Sequence, residues 1–249
     1  MRVFQKFVDF AGESIMNVCR LFIGLALPDG VSRRLAARME RLAGRLPFAR
    51  WTHPADLHVT LLFLGETPAG RVEEVSRMVR ETAAGAAPFT LELTEPGTFG
   101  PPSAPRVLWC GVAERSGTAE GEADRPAQGA LSALHAALCA RAEAAGFPRD
   151  PRPFRPHVTL ARAGNAACGP AAVAAAWREA VAAEEGAAHG APAGTAAASR
   201  GPLRSADAGS LPPGPSGLLV WRADRLTLFR SHLGRRPSYE RLSEYRFGR

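Results

Sequence analysis

The stretch DLHVTLLFLGE occupies positions 56–66, and FRPHVTLAR occupies positions 154–162. Both contain the tetrad HVTL, at 58–61 and again at 157–160. In an extended strand, residues two apart point to the same side. His58 and Thr60 therefore share one face, as do His157 and Thr159. Val59, Leu61, Val158 and Leu160 turn the opposite way, into a core. Each tetrad presents an imidazole and a hydroxyl while anchoring itself with two aliphatic side chains. Two halves juxtaposed about a pseudo-two-fold axis would gather both histidines and both threonines around one point.

The rest of the chain supplies such halves. RLFIGLAL (20–27) is a short apolar run ended by Pro28-Asp29-Gly30, the pattern of a buried strand and a turn. Val31, Leu35, Met39, Leu42 and Leu46 recur at three- and four-residue steps, which predicts an amphipathic helix over 31–46. A strand over 57–65 and a helix over 69–84 follow. FTLELTE (89–95) alternates, and RVLWCGV (106–112) is strand-like. A polar loop over 113–128 leads to a helix over 129–145, a strand over 156–162 and an alanine-rich helix over 170–185. Strand-like residues 218–231 and a closing segment at 239–247 complete the order.

The pattern predicts an α+β fold of two related lobes, each an antiparallel sheet backed by helices, with a central cleft. The domain is expected to span 17–249, after an extension over 1–16; Met16 stands just before the strong patterning begins. Residues 186–217 are almost wholly Ala, Gly, Pro and Ser. Such a segment lacks the large apolar side chains that offset ordering entropy, so it reads as a disordered insert.

At 249 residues the chain can bury a sizeable core. No apolar run is long enough to cross a bilayer, and Lys6, Asp9 and Glu13 interrupt any signal-peptide core. Cys19, Cys110, Cys139 and Cys168 form neither a CxxC pair nor zinc-finger spacing. They fit reduced thiols in a cytosol, with Cys19 and Cys110 buried in strands. Net charge is +7, carried by arginines apart from Lys6. Arginine forks suit phosphate, so a polyanionic partner is favoured, although Ala/Gly/Pro/Arg-rich sequences also accompany GC-rich genomes.

Two imidazoles flanking one site suit concerted proton transfer, one neutral ring taking a proton and one charged ring giving one. Nearby hydroxyls can donate to a developing oxyanion. This set, without a metal, fits attack on a phosphodiester, including hydrolysis of a cyclic phosphate. The other histidines carry less. His53 precedes Pro54 in a loop, His135 falls on the polar side of its helix, His189 lies in the insert, and His232 follows the last long strand. A single His-x-Thr on a strand is usually a satisfied polar residue. Two copies in matching halves are not readily accidental.

The paired motifs, with RLFIGLALP, PRVLWCGV and LTLFRSHLGRRPSYERL in the same order, resemble the 2H phosphoesterases. Within them the chain looks most like the RNA 2',3'-cyclic phosphodiesterases, also called 2'-5' RNA ligases. The resemblance implies a bilobal fold and metal-independent hydrolysis of RNA 2',3'-cyclic phosphate ends to 2'-phosphomonoesters, with weak reversible 2'-5' joining. It implies a cytoplasmic monomer that needs no cofactor and acts on RNA ends, tRNA fragments among them. His157 is assigned as general base and His58 as general acid, an order that the near-symmetry of the motifs leaves open. Thr60 and Thr159 would hold phosphate oxygens. Arg162 would contact phosphate too, provided a bulge or the strand's end redirects it toward His157; the alternative is a surface ion pair. Phe22 either stacks a terminal base or packs in the core. Arg106, Arg230, Arg235 and Arg236 either track the RNA backbone or form a solvated basic face, and Tyr239 could hydrogen-bond near the cleft. A cyclic phosphodiesterase on small nucleotides and a non-catalytic RNA-binding protein of the same fold remain the competing readings.

Overall fold

In the computed structural model, residues 17–115, 129–189 and 218–248 are described. The expected extension over 1–16, most of the 113–128 loop and most of the 186–217 insert lie outside those residues. Nine strands are present among them: β1 (Val18–Ala26), β2 (Arg50–Trp51), β3 (His58–Pro68), β4 (Phe89–Phe99), β5 (Val107–Glu114), β6 (His157–Arg162), β7 (Val220–Ala223), β8 (Arg225–Ser231) and β9 (Tyr239–Arg246). Four α-helices join them: α1 (Asp29–Ala43), α2 (Val72–Ala84), α3 (Ala130–Ala144) and α4 (Pro170–His189).

The strands form one antiparallel sheet in the order β7-β4-β5-β6-β3-β1-β8-β9, with β2 paired to β6. The order is a palindrome about the junction of β6 and β3. Each His-x-Thr strand is flanked by a partner, then a second partner, then an edge strand. The ladder between β3 and β6 consists of a single residue pair, Val59 opposite Val158. Both valines are fully buried, so the two-fold junction is an apolar seam. The fold is the expected α+β arrangement, with the two lobe sheets joined into one curled sheet.

Membership of the lobes is exchanged between the halves of the sequence. β4 and β5 precede the midpoint yet pair with β6 and β7, while β8 and β9 return to pair with β1. The helices exchange as well. α1 follows β1 but packs on α4, which covers β4; α3 follows β5 but packs on α2 and β3. Arg38, 2% exposed, helps fasten α1 to α4 through Glu184 at 2.5 Å and lies over the Trp177 ring. Helix periodicity specifies an apolar face and not which sheet meets it, so this exchange could not be read from the pattern alone.

Local differences from expectation have simple causes. The strand-like run 218–231 breaks at Asp224, where β7 and β8 pair in different lobes. Residues 69–71 form a single tight turn ahead of α2, and α4 continues through the first residues of the expected insert to His189. Cys19 and Cys110 are buried, as their strand positions imply.

Candidate active site

The first His-x-Thr motif lies at the start of β3. There Ala26 faces His58, Gly24 faces Thr60 and Phe22 faces Phe63 across β1. The second lies at the start of β6, where Gly111 faces His157, Trp109 faces Thr159 and Val107 faces Arg162 across β5. Cross-strand partners point to the same side of a sheet. Phe22, Gly24 and Ala26 thus mark one face of the first lobe, and Val107, Trp109 and Gly111 mark the corresponding face of the second. His58 and Thr60, and His157 and Thr159, occupy those faces. Gly24 is required there: a Cβ would come within 2.5 Å of the Val59 carbonyl oxygen.

Both motifs contain a β-bulge at the same place. The register steps from Thr60 to Leu62 on β3 and from Thr159 to Ala161 on β6, leaving Leu61 and Leu160 as the extra residues. A bulge reverses the alternation beyond it. The residue five positions after each histidine is thereby turned onto the face that carries the histidine. In the second lobe that residue is Arg162, exposed at the end of β6. In the first it is Phe63, 58% exposed. Arg162 thus has the redirection that its expected role required. Phe63 was not anticipated, because strict alternation from Thr60 points it inward.

The imidazoles are held alike. His58 Nδ1 donates to the carbonyl of Asp56 at 2.7 Å, and His157 Nδ1 donates to that of Arg155 at 2.6 Å. Each carbonyl can only accept, so the proton sits on Nδ1 and Nε2 is left as the basic nitrogen. His58 Nε2 accepts from the Thr60 hydroxyl at 2.9 Å. Aromatic rings wall each imidazole. Phe22, Phe229 and Tyr239 stand 4.8, 5.4 and 5.1 Å from the His58 ring, centroid to centroid. Phe99 and Trp109 stand 5.1 and 6.1 Å from the His157 ring.

Their protonation differs. Burial pushes the His58 pKa down to about 4, assisted by repulsion from His157 and Arg162 and opposed by the Asp56 carbonyl and charge. His157 is also lowered, first by burial and then by Arg162, against the Arg155 hydrogen bond. Thus Arg162 bears electrostatically on both rings. Among the described residues no group of three or more His, Cys, Asp or Glu is placed to hold a metal ion.

The remaining candidates separate. Phe22 is on the expected face but is 2% exposed, enclosed by His58, Phe63, Phe229 and Tyr239. This corrects its expected role as a base-stacking surface: it is packing beneath His58. Arg106 is exposed, with its backbone tied to Phe99 and Ala163, next to Val107 opposite Arg162. Arg230 faces Leu21, on the helix side of the sheet, so it points away from the site. Arg235 and Arg236 are exposed in the loop before β9. His53 caps a short turn through the Ala55 amide, and His232 pairs with Glu240 at 2.7 Å. His135 is not a free surface residue, since its ring stacks on Phe154 at 4.0 Å; His189 has a described backbone only. Asp56 went unnoticed in the sequence because its partners are remote: its carboxylate accepts the Ser238 and Tyr239 amides at 2.8 and 3.0 Å.

Comparison with known proteins bears on the same elements. A family model described as the 2'-5' RNA ligase superfamily matches residues 28–188, which include both His-x-Thr motifs. An RNA 2',3'-cyclic phosphodiesterase of Bacillus subtilis is 26% identical over 90% of this chain and 94% of that protein. One of Geobacillus stearothermophilus is 34% identical over 59% of this chain, and the match spans 43% of that protein's length. Among solved structures, a Thermus thermophilus protein, TT0787, is 25% identical, covering 92% of this chain and 98% of that one, with a TM-score of 0.55. Escherichia coli LigT complexed with 3'-AMP shares the fold at 22% identity and a TM-score of 0.56, covering 94% of this chain and all of that one. With most of the chain matched, and both histidine strands inside the match, the protein belongs to the 2'-5' RNA ligase superfamily.

Proposed function

We propose that the protein hydrolyses RNA 2',3'-cyclic phosphate ends to 2'-phosphomonoesters, using His58 and His157 as an acid–base pair without a metal. The reading is carried by two imidazoles with matching Nδ1–H tautomers, on strands that meet at Val59 and Val158. The curated relatives named RNA 2',3'-cyclic phosphodiesterase support the substrate class. Thr159 donates to the phosphate oxygens, as does Thr60 once its hydroxyl turns from His58 Nε2, and Arg162 supplies positive charge to them. Phe63 offers an open ring to a base, since aromatic faces stack bases without regard to sequence.

One ring takes the proton of the attacking water, and the other, protonated, gives one to the departing 3'-oxygen. Burial lowers both rings, so their electrostatics do not order the two roles. With a 5'-hydroxyl in place of water as the nucleophile, the same transfers join RNA ends through a 2'-5' linkage, and their reverse cleaves that linkage. The four thiols are unpaired, in keeping with action in the cytosol.

The test is a short RNA with a 2',3'-cyclic end, incubated with and without EDTA, with the product resolved as 2'- or 3'-monoester. A 2'-phosphate formed equally in chelator is expected. A 3'-phosphate, or loss of turnover in chelator, overturns the mechanism. Tight, salt-sensitive RNA binding without turnover would instead mark a binding protein. Faster turnover of a mononucleotide than of an oligonucleotide would mark a small-molecule enzyme.

A further inference from the structure

Asp56 is 5% exposed. A buried carboxylate needs hydrogen bonds to compensate its lost hydration. Both of its oxygens are used on one short piece of backbone far along the chain: Oδ2 accepts the Ser238 amide and Oδ1 accepts the Tyr239 amide. Its own carbonyl meanwhile receives His58 Nδ1–H. One residue therefore joins the first motif to the beginning of β9. At that junction the Tyr239 ring stands edge-on to the His58 imidazole, at 5.1 Å and 88°, and edge-on to Phe22, at 4.9 Å and 77°. The amide of His232 closes the intervening loop on the Ser238 carbonyl at 2.8 Å. The corresponding residue of the second motif, Arg155, is exposed and contributes its carbonyl to His157.

We infer that Asp56 is a positioning residue for His58: its carboxylate clamps residues 238–239 so that the Tyr239 ring closes over the imidazole, while its carbonyl fixes the tautomer. The clamp makes the two otherwise matched histidines unequal, one enclosed by the final strand and one left more open. The part of this inference that concerns turnover rests on the proposed hydrolysis; the part that concerns His58 itself does not.

Titratable and charged groups face His58 from several elements. They are Asp56 from the preceding turn, His157 and Arg162 from β6, and the Tyr239 phenol from β9. Asp56 acts on His58 in two opposed ways. Its charge raises the pKa, whereas the enclosure it maintains lowers it, and burial is the largest cause. Removing the charge alone must lower the His58 midpoint further. Releasing the clamp must raise it toward the ordinary 6.5.

The experiment is an NMR titration of the imidazoles in the full chain, with His58 assigned through H58N. D56N keeps the size of the side chain but sets an amide NH2 against a backbone N–H. In D56N the His58 midpoint is expected to rise, and Y239A is expected to raise it as well, while Y239F leaves it in place. A midpoint that falls in D56N, as loss of the charge with the enclosure intact requires, overturns the clamp; if it stays fixed, Y239A, which keeps the charge, decides. If D56N does not fold, Y239A decides alone: an unchanged His58 midpoint there overturns it. In the cyclic-phosphate assay, D56N is expected to lower kcat on the order of 10- to 100-fold, the scale of a misplaced catalytic group, with little change in KM. A raised midpoint without any turnover in the unmodified protein would sustain the clamp and reject the proposed function. A changed KM with normal kcat would reject the positioning role.

Discussion

The two lobes repeat one another closely around the histidines and diverge at two chosen places. Each has the His-Val-Thr order, the extra leucine, and a ring tied to the carbonyl two residues earlier. Five residues after the histidine, one lobe presents the Phe63 ring and the other the Arg162 guanidinium. Two residues before it, one has buried Asp56 and the other exposed Arg155. The repeated features are those that the proposed proton transfer on either side of one phosphorus requires. The unrepeated ones distinguish what lies on each side: a flat apolar surface suits a base, and a guanidinium suits phosphate. On the proposed hydrolysis, a symmetric frame serves an asymmetric end of RNA.

The comparison can be broken first at its common part. H58A and H157A should each reduce turnover of a cyclic-phosphate RNA by about 10²- to 10⁴-fold, the usual scale for a general acid or base, while circular dichroism stays unchanged. Activity surviving in either single variant would remove the paired mechanism. Next, R162L should cost roughly 100-fold on every cyclic phosphate, with or without an attached oligonucleotide, as loss of an oxyanion donor does. F63A should weaken KM for RNA by about 10-fold, the scale of one lost base stack, and leave a cyclic phosphate lacking a base unaffected. Equal effects of the two changes on all substrates would erase the proposed division of labour.

The smallest effect is on stability in acid. His58 has a folded pKa near 4 against 6.5 for the ordinary side chain. Between those values the unfolded chain binds the extra proton, so stability falls as pH drops from 6.5 toward 4. Urea unfolding of H58N should show a shallower fall across that window than the parent does. An unchanged slope would mean that His58 is solvated in the folded protein.

How far the sequence could be read follows the range of the interactions involved. The facing of His58 with Thr60, and of His157 with Thr159, depends on a two-residue period and was legible. The redirection of Arg162 was legible as a requirement, since alternation alone would have turned it away. Phe63 was not, because a bulge exists only against a partner strand, and β1 sets it. Phe22 had the correct face and the wrong depth; rings from β3, β8 and β9 cover it. The clamp by Asp56 was least accessible, since it spans 182 and 183 residues of chain.

The return of β8 and β9 to the first lobe has a consequence for biogenesis. β1 ends at Ala26, yet among the described residues its outer hydrogen-bonding edge is paired by β8, beginning at Arg225. Throughout synthesis that edge must wait, open to any other extended chain, until nearly the whole polypeptide has left the ribosome. Such distant pairing makes for slow acquisition of structure. A chain stopped before residue 218 should therefore aggregate rather than yield a working smaller enzyme, a result that solubility after expression would reveal directly.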